Sequence, residues 1–554
     1  MESMRCSLEN SIRPATLMAM ARTRRQPPVA TLTFRPRAPR RYSERSAAWR
    51  RARIAAYKVC WGPGNCHTSD IMAAIDQAVA DGVDVINYSI SGTQTNFQDP
   101  VEQAFMRAAA AGVFVAAAAG NNGPNYFTVT HPSPWITTVA AGTHNRSSNG
   151  SVTLGNDSTY VGASISQALP SKPLIDANAA RLPLVDENHA NACLTKEIYE
   201  EFYRGTGPVL DPALVAGKIV VCEFGGNSRV DKSLAMQRAG GVGMILLNNG
   251  PGQTLNTELH FVPTVQLSVS DRVAVTAYAA TAGATAAISQ GVMNLTTPAP
   301  FTANFSSRGP SQAAGGNLLK PDIIAPGQDI LAGVSPVGYK GRLFDVLSGT
   351  SMSSPHIAGI AALMKELHPK WSPMAIKSAL MTSAGDVLDG PNTAPKVIRS
   401  QGAGHVRPNN AANPGLVFDS GPIDWQGFLC GIGAVLPATC TAANVPVLHA
   451  SDLNVPSIAI GFGKFATKQT VTRRVTNKSS RTTTYTASYD MPGFTVTVSP
   501  PSLTMASGQT KSFTVTFAPN TATPNYYGGQ LTWTGGTSAS DQRTVRIPML
   551  VYAP

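Results

Sequence analysis

Between residues 52 and 117 short apolar runs alternate with amphipathic stretches, and no other feature limits the fold of this chain so tightly. Residues 52–60 read as a strand; Ser69 and Asp70 open a helix from Ile71 to Ala80, which Gly82 closes. Residues 83–89 read as a buried strand, Asp99 and Pro100 start a helix through Ala111, and residues 113–117 return as a strand. Strands joined by helices of this length pair in parallel, so the sequence predicts an α/β fold built on a doubly wound parallel sheet. Ligands of such sheets lie beyond the carboxyl ends of the strands. Two of those ends stand out, Ser89-Ile90-Ser91-Gly92 and the run from Ala118 to Pro124.

A second constraint lies at residues 347–356, Leu-Ser-Gly-Thr-Ser-Met-Ser-Ser-Pro-His, ahead of a long apolar stretch. Glycine and small hydroxyl residues let the backbone bend sharply into a buried helix. The free N–H groups and dipole of that helix start favour negative charge beside Ser351. Taken alone, Ser351 is as readily an N-cap serine, and Asn121 an Asx turn at a strand end.

The run Gly349 to Gly359 resembles the nucleophile motif of subtilisin-like serine proteases, G-T-S-M-[AS]-x-P-H-[IV]-[AS]-G, and matches it without a gap. The resemblance implies that Ser351 accepts the acyl group and that its backbone N–H forms half of an oxyanion hole, in a site that includes Gly349 and Thr350. Ala119-Gly120-Asn121-Asn122-Gly123-Pro124 resembles the family's A-G-N-x-G-P, which makes the Asn121 amide the second donor and Gly120 part of the site. Ser89, Ile90, Ser91 and Gly92 resemble the strand that pairs with substrate backbone, with Ser91 where the family has glycine. Asp322 and His356 do not complete a triad: His356 lies five residues beyond Ser351 on one helix, rotated about 500° from it, and both match structural positions of the family.

The likeness extends along the chain. Residues 51–150 and 299–432 resemble the two parts of the catalytic domain. Residues 151–298 resemble the protease-associated insert of plant-type members, offering a lid or an interaction surface and no catalytic cluster. Residues 433–554 carry alternating strands between Gly, Pro and Asn turns and no helix pattern, and resemble a fibronectin type III-like β-sandwich. Three cysteine pairs, Cys60 with Cys66, Cys193 with Cys222 and Cys430 with Cys440, suit disulfides of a secreted protein, and Cys6 is left over. Protein or peptide substrates are implied. Oligomeric state, calcium and side-chain preference stay open, and no cofactor is expected.

The net charge of +12 is concentrated at one end. Residues 1–50 hold eleven arginines against three acidic residues, +8 of the total, so the near-neutral body suggests no nucleic-acid partner. No run of eighteen apolar residues is present, so no membrane span is expected. With neither an apolar h-region nor periodicity, residues 1–50 read as neither a secretory signal nor a core element. A transit peptide, a basic arm and a sequence never selected as protein all fit. The third is favoured, because codons for Thr16 to Gln26 can be chosen that give Ala-Asp-Gly-His-Gly-Thr-His-Thr-Ser-Thr in a shifted frame, the family's histidine motif. No histidine of the chain as written is followed by Gly-Thr-His, and the D-[TS]-G aspartate would fall before residue 1. The expectation is a serine endopeptidase nearly inactive as written, its sheet open along one edge. The alternative is a pseudoprotease that binds peptides without cleaving them.

Overall fold

The computed structural model describes the backbone of residues 16–21, and residues 52–553 apart from 62–65, 251, 337–338, 340, 464, 466 and 537–541. Its centre is a six-stranded sheet. In chain order the elements are β1 (Thr16–Ala21), β2 (Arg53–Lys58), α1 (Thr68–Ala80), β3 (Val85–Tyr88), α2 (Pro100–Ala110), β4 (Phe114–Ala118), β5 (Thr137–Gly142), β6 (Ile323–Pro326), α3 (Thr350–Leu367) and α4 (Pro373–Thr382). The sheet runs β6-β5-β4-β3-β1-β2, with β3, β4, β5 and β6 parallel.

Burial on both faces explains the nearly unbroken apolar strands. On β4, Val115 and Ala117 join a core with Ile71, Ile75 and Phe105 of α1 and α2, while Phe114 and Ala116 join one with Ile357, Ala361 and Ile376 of α3 and α4. Asp99 caps α2 as expected, its carboxylate accepting from the amides of Val101 and Glu102. At α1 the cap position is His67, and Ser69 and Asp70 lie inside the first turn.

Residues 1–50 hold a departure from the sequence reading. Thr16–Ala21 runs antiparallel between β2 and β3, pairing with Arg53–Lys58 on one side and Val85–Asn87 on the other. A helical crossover through α1 leaves β2 and β3 one strand apart, with unpaired N–H and C=O groups facing each other. The uncharged hexapeptide Thr-Leu-Met-Ala-Met-Ala satisfies both rows, which absence of periodicity could not reveal. The rest of that segment, including the histidine-free basic stretch and Cys6, lies outside the described residues.

The insert begins with strand Ser147–Leu154, slightly before residue 151, and its sheet closes on itself where Thr285–Ile288 pairs with both Leu169–Asp176 and Ser147–Leu154. The C-terminal domain has a four-stranded and a five-stranded sheet enclosing Tyr485, Phe513 and Trp533. Leu416–Val417 supplies an edge strand of the four-stranded sheet, and the other strands begin at Ile458. The intervening stretch contains a helix, Pro437–Ala442, contrary to the reading of that region as helix-free. That helix is short, and the Cys430–Cys440 disulfide ties it to the preceding one, a constraint without periodicity. The other disulfides join Cys60 to Cys66 and Cys193 to Cys222. Among the described residues no helix is long and apolar enough to cross a membrane, and no group of three or more His, Cys, Asp or Glu could hold a metal ion.

Candidate active site

Three segments meet at the carboxyl ends of β3 and β4. Helix α3 begins at Thr350 with Gly349 as its N-cap residue, so Ser351 stands in its first turn. Gly349 is brought there by its amide, which donates to the Gly327 carbonyl at 2.8 Å just past β6. A Cβ on Gly327 would lie 2.0 Å from the Ser353 hydroxyl, so this approach requires glycine.

Pro355 explains how Ser351 is tied to β3. A proline in a helix supplies no N–H to the carbonyl four residues earlier, which here is that of Ser351. The Ser89 hydroxyl donates to that carbonyl at 2.8 Å, and the Ser351 hydroxyl donates in turn to the Ser89 carbonyl at 3.2 Å. Asn87 anchors the arrangement from below, its amide donating to the Ser89 hydroxyl at 3.0 Å and its oxygen accepting from Ser354 at 2.7 Å. Asn87 is therefore committed to the core although it begins an N-x-S sequon.

The Asn121 side chain reaches the same turn. Its oxygen accepts from both the Thr350 amide and the Thr350 hydroxyl, each at 2.9 Å, which leaves its NH₂ group as the free end beside Gly349. Gly120 donates to the Thr350 hydroxyl at 3.2 Å and has a φ of 101°, the left-handed region that glycine tolerates. The loop is held by Ser307, whose hydroxyl accepts from the Asn122 amide at 3.1 Å.

Ser89 to Gly92 continue past the end of β3 without a ladder partner. The site therefore gathers Ser89, Gly120, Asn121, Gly349, Thr350 and Ser351, with Ile90, Ser91 and Gly92 leading away along one rim.

All nine histidines fall within the described residues, and none is hydrogen-bonded to Ser351. His356 turns back along its own helix, Nδ1 donating to the Met352 carbonyl at 2.8 Å, and burial lowers its pKa. Asp322 is also engaged elsewhere, lying 2.7 Å from the Lys320 ammonium and 2.8 Å from that of Lys377. Sequence reading did not single out His131, fully buried, whose ring bonds both the Glu102 carboxylate and the Ile90 carbonyl. A helix residue and a loop residue 29 apart leave no local signal of such a pairing.

A doubly wound sheet with a serine in the first turn of a buried central helix, beside a strand-end asparagine, defines a subtilisin-type scaffold. The chain belongs to the subtilase family, whose model matches residues 47–404, and a fibronectin type-III domain model matches residues 452–551. Among its relatives in Arabidopsis thaliana, subtilisin-like protease SBT1.6 is 36% identical over 542 residues, covering 90% of this chain and 68% of that protein. Subtilisin-like protease SBT5.3 is 38% identical over 533 residues, covering 90% and 67%. The chain thus spans about two thirds of the length of the relatives it matches. The solved structure of the psychrophilic subtilisin-like protease Apa1 from Pseudoalteromonas sp. AS-11 aligns over 64% of this chain and 76% of that one. Its identity is 18% and its TM-score 0.28, a superposition too loose to build on.

Proposed function

We propose that the chain is the acyl-accepting body of a serine endopeptidase, taking an extended peptide along Ser89–Gly92 and presenting its scissile carbonyl to Ser351. In that reaction the Ser351 oxygen bonds to the carbonyl carbon and its proton passes to a base. The oxyanion is held by the Asn121 NH₂ group and the Ser351 N–H, and the amine leaves with the proton before water releases the acyl group. The observation that carries this reading is the anchoring of the Asn121 oxygen by Thr350, which leaves its donor end beside Gly349, two residues before the nucleophile. The insert takes the part of a protease-associated domain, and the three disulfides favour an oxidising, extracellular setting.

With no histidine on Ser351, peptide cleavage by this chain is slow. Loss of the base from a subtilisin-type triad lowers turnover by about 10⁶-fold. The same observation favours a second reading, a pseudoprotease that binds peptides through this groove. A fluorophosphonate probe and a fluorescein-labelled unstructured peptide test both. The expected result is peptide binding, equal in Ser351→Ala, with probe labelling barely above that variant. Absence of peptide binding defeats the groove assignment, and rapid labelling means that a base is engaged and the chain is an active enzyme.

A further inference from the structure

We infer that Glu102 and His131 are positioning residues that hold the peptide-binding rim from behind, through a proton shared between their side chains. The inference rests on the proposed groove and adds a determinant of its affinity. His131 grips the rim twice: its Nε2 donates to the Ile90 carbonyl at 2.9 Å and its backbone amide donates to the Thr93 carbonyl at 2.9 Å. Between those two carbonyls lie Ser91 and Gly92, whose backbone groups have no hydrogen-bond partner among the described residues. These are the groups an added strand would use. The imidazole packs so closely on Gly92 that a Cβ there would come within 2.2 Å of Cε1, so His131 also accounts for the glycine.

The grip depends on Glu102. His131 and Glu102 side chains are each 1% exposed, with Nδ1 and Oε1 2.7 Å apart. The other carboxylate oxygen accepts from the Ser133 amide at 3.3 Å, and the Glu102 carbonyl accepts from the Trp135 indole at 2.8 Å. With Nε2–H committed to Ile90, the short Nδ1–Oε1 contact is a hydrogen bond only when a proton lies between the two atoms. The pair then carries two protons and no net charge, which suits its burial. Without the Glu102 carboxylate, Nδ1 has no partner and the ring loses its anchor.

The charged and titratable groups around the pair are few. The Tyr88 ring meets His131 edge-on at 5.4 Å from β3, and burial beside Glu102 and Asp99 raises its phenol, keeping it neutral. Lys320, paired with Asp322, donates to the Ser133 carbonyl and the Thr138 hydroxyl, and that hydroxyl donates to the His131 carbonyl.

Glu102→Gln separates positioning from mere packing. A glutamine amide can donate to Nδ1 while its oxygen keeps the Ser133 amide, so the grip persists, whereas Glu102→Ala leaves Nδ1 without a partner. Binding of fluorescein-labelled oxidised insulin B chain to the full chain is measured by anisotropy, with melting curves and amide exchange of residues 85–88 as fold controls. Glu102→Ala and His131→Ala are expected to bind about tenfold more weakly than the wild type, and Glu102→Gln within about twofold of it. Equal affinity of wild type and folded His131→Ala, or a folded Glu102→Gln as weak as Glu102→Ala, overturns the inference while leaving the groove intact. A wild-type chain that does not bind the peptide overturns the groove assignment and this inference together.

Discussion

The link between Ser89 and Ser351 shows how one covalent fact propagates into a site. Pro355 cannot donate within helix α3, the Ser351 carbonyl is left free, and the Ser89 hydroxyl fills the vacancy from the end of β3. Ser89→Ala leaves that carbonyl without its partner and should lower stability by about 1–2 kcal/mol, read as a shift in urea midpoint with unchanged slope. It should also loosen the Ser351 turn, seen as faster amide exchange at residues 350–354. At this scale Ser351 and Asn121 were legible because each sits in an unbroken local pattern. Ser89 was legible only as part of a rim; its bond to the helix depends on two segments 262 residues apart. Glu102 and His131 were not legible at all, one reading as a helix residue and the other as a loop residue.

Elements are joined by buried charge as well as by apolar packing. Asp322 stands just before β6, Lys377 on α4, and the two meet with Lys320 under the loop that leads into β5. Two ammonium groups share one carboxylate there, and the carbonyls of Pro134 and Ile136 take further bonds from Lys377. Burial lowers the Lys377 ammonium from its ordinary 10.5 to about 7, outweighing the attraction of Asp322. The unfolded chain therefore binds more protons than the folded one between those two values, so this group makes stability rise with pH through that interval and fall as pH drops toward 7. Melting temperature measured from pH 7 to 9.5 should climb, and Lys377→Met should flatten the climb. A profile unchanged by that substitution would place the titration elsewhere. The alternating pattern predicted β2 to β4 and their helices because burial on both faces demands apolar runs. It could not predict β1, whose six residues are defined by the gap they occupy.

Across the whole molecule, the accessory domains are fastened to the catalytic one by polar contacts rather than laid beside it. Asn256 of the insert donates to Asp329 at 3.3 Å and to the hydroxyl of Ser348, three residues before Ser351, at 2.7 Å. From the C-terminal domain Arg546 bonds the Ala384 carbonyl and the Asp386 carboxylate. These contacts hold one frame around a site for which an acyl acceptor, an oxyanion donor and a peptide rim are proposed, and among the described residues no histidine is hydrogen-bonded to Ser351. The most direct measurement is peptide hydrolysis by the chain as it stands and by a chain whose residues 1–50 are exchanged for a family segment carrying the D-[TS]-G and histidine motifs. Hydrolysis should rise by at least about 10⁴-fold on exchange and vanish again with Ser351→Ala. A folded exchanged chain that stays silent, or an unexchanged chain that already cleaves as fast, would contradict the account.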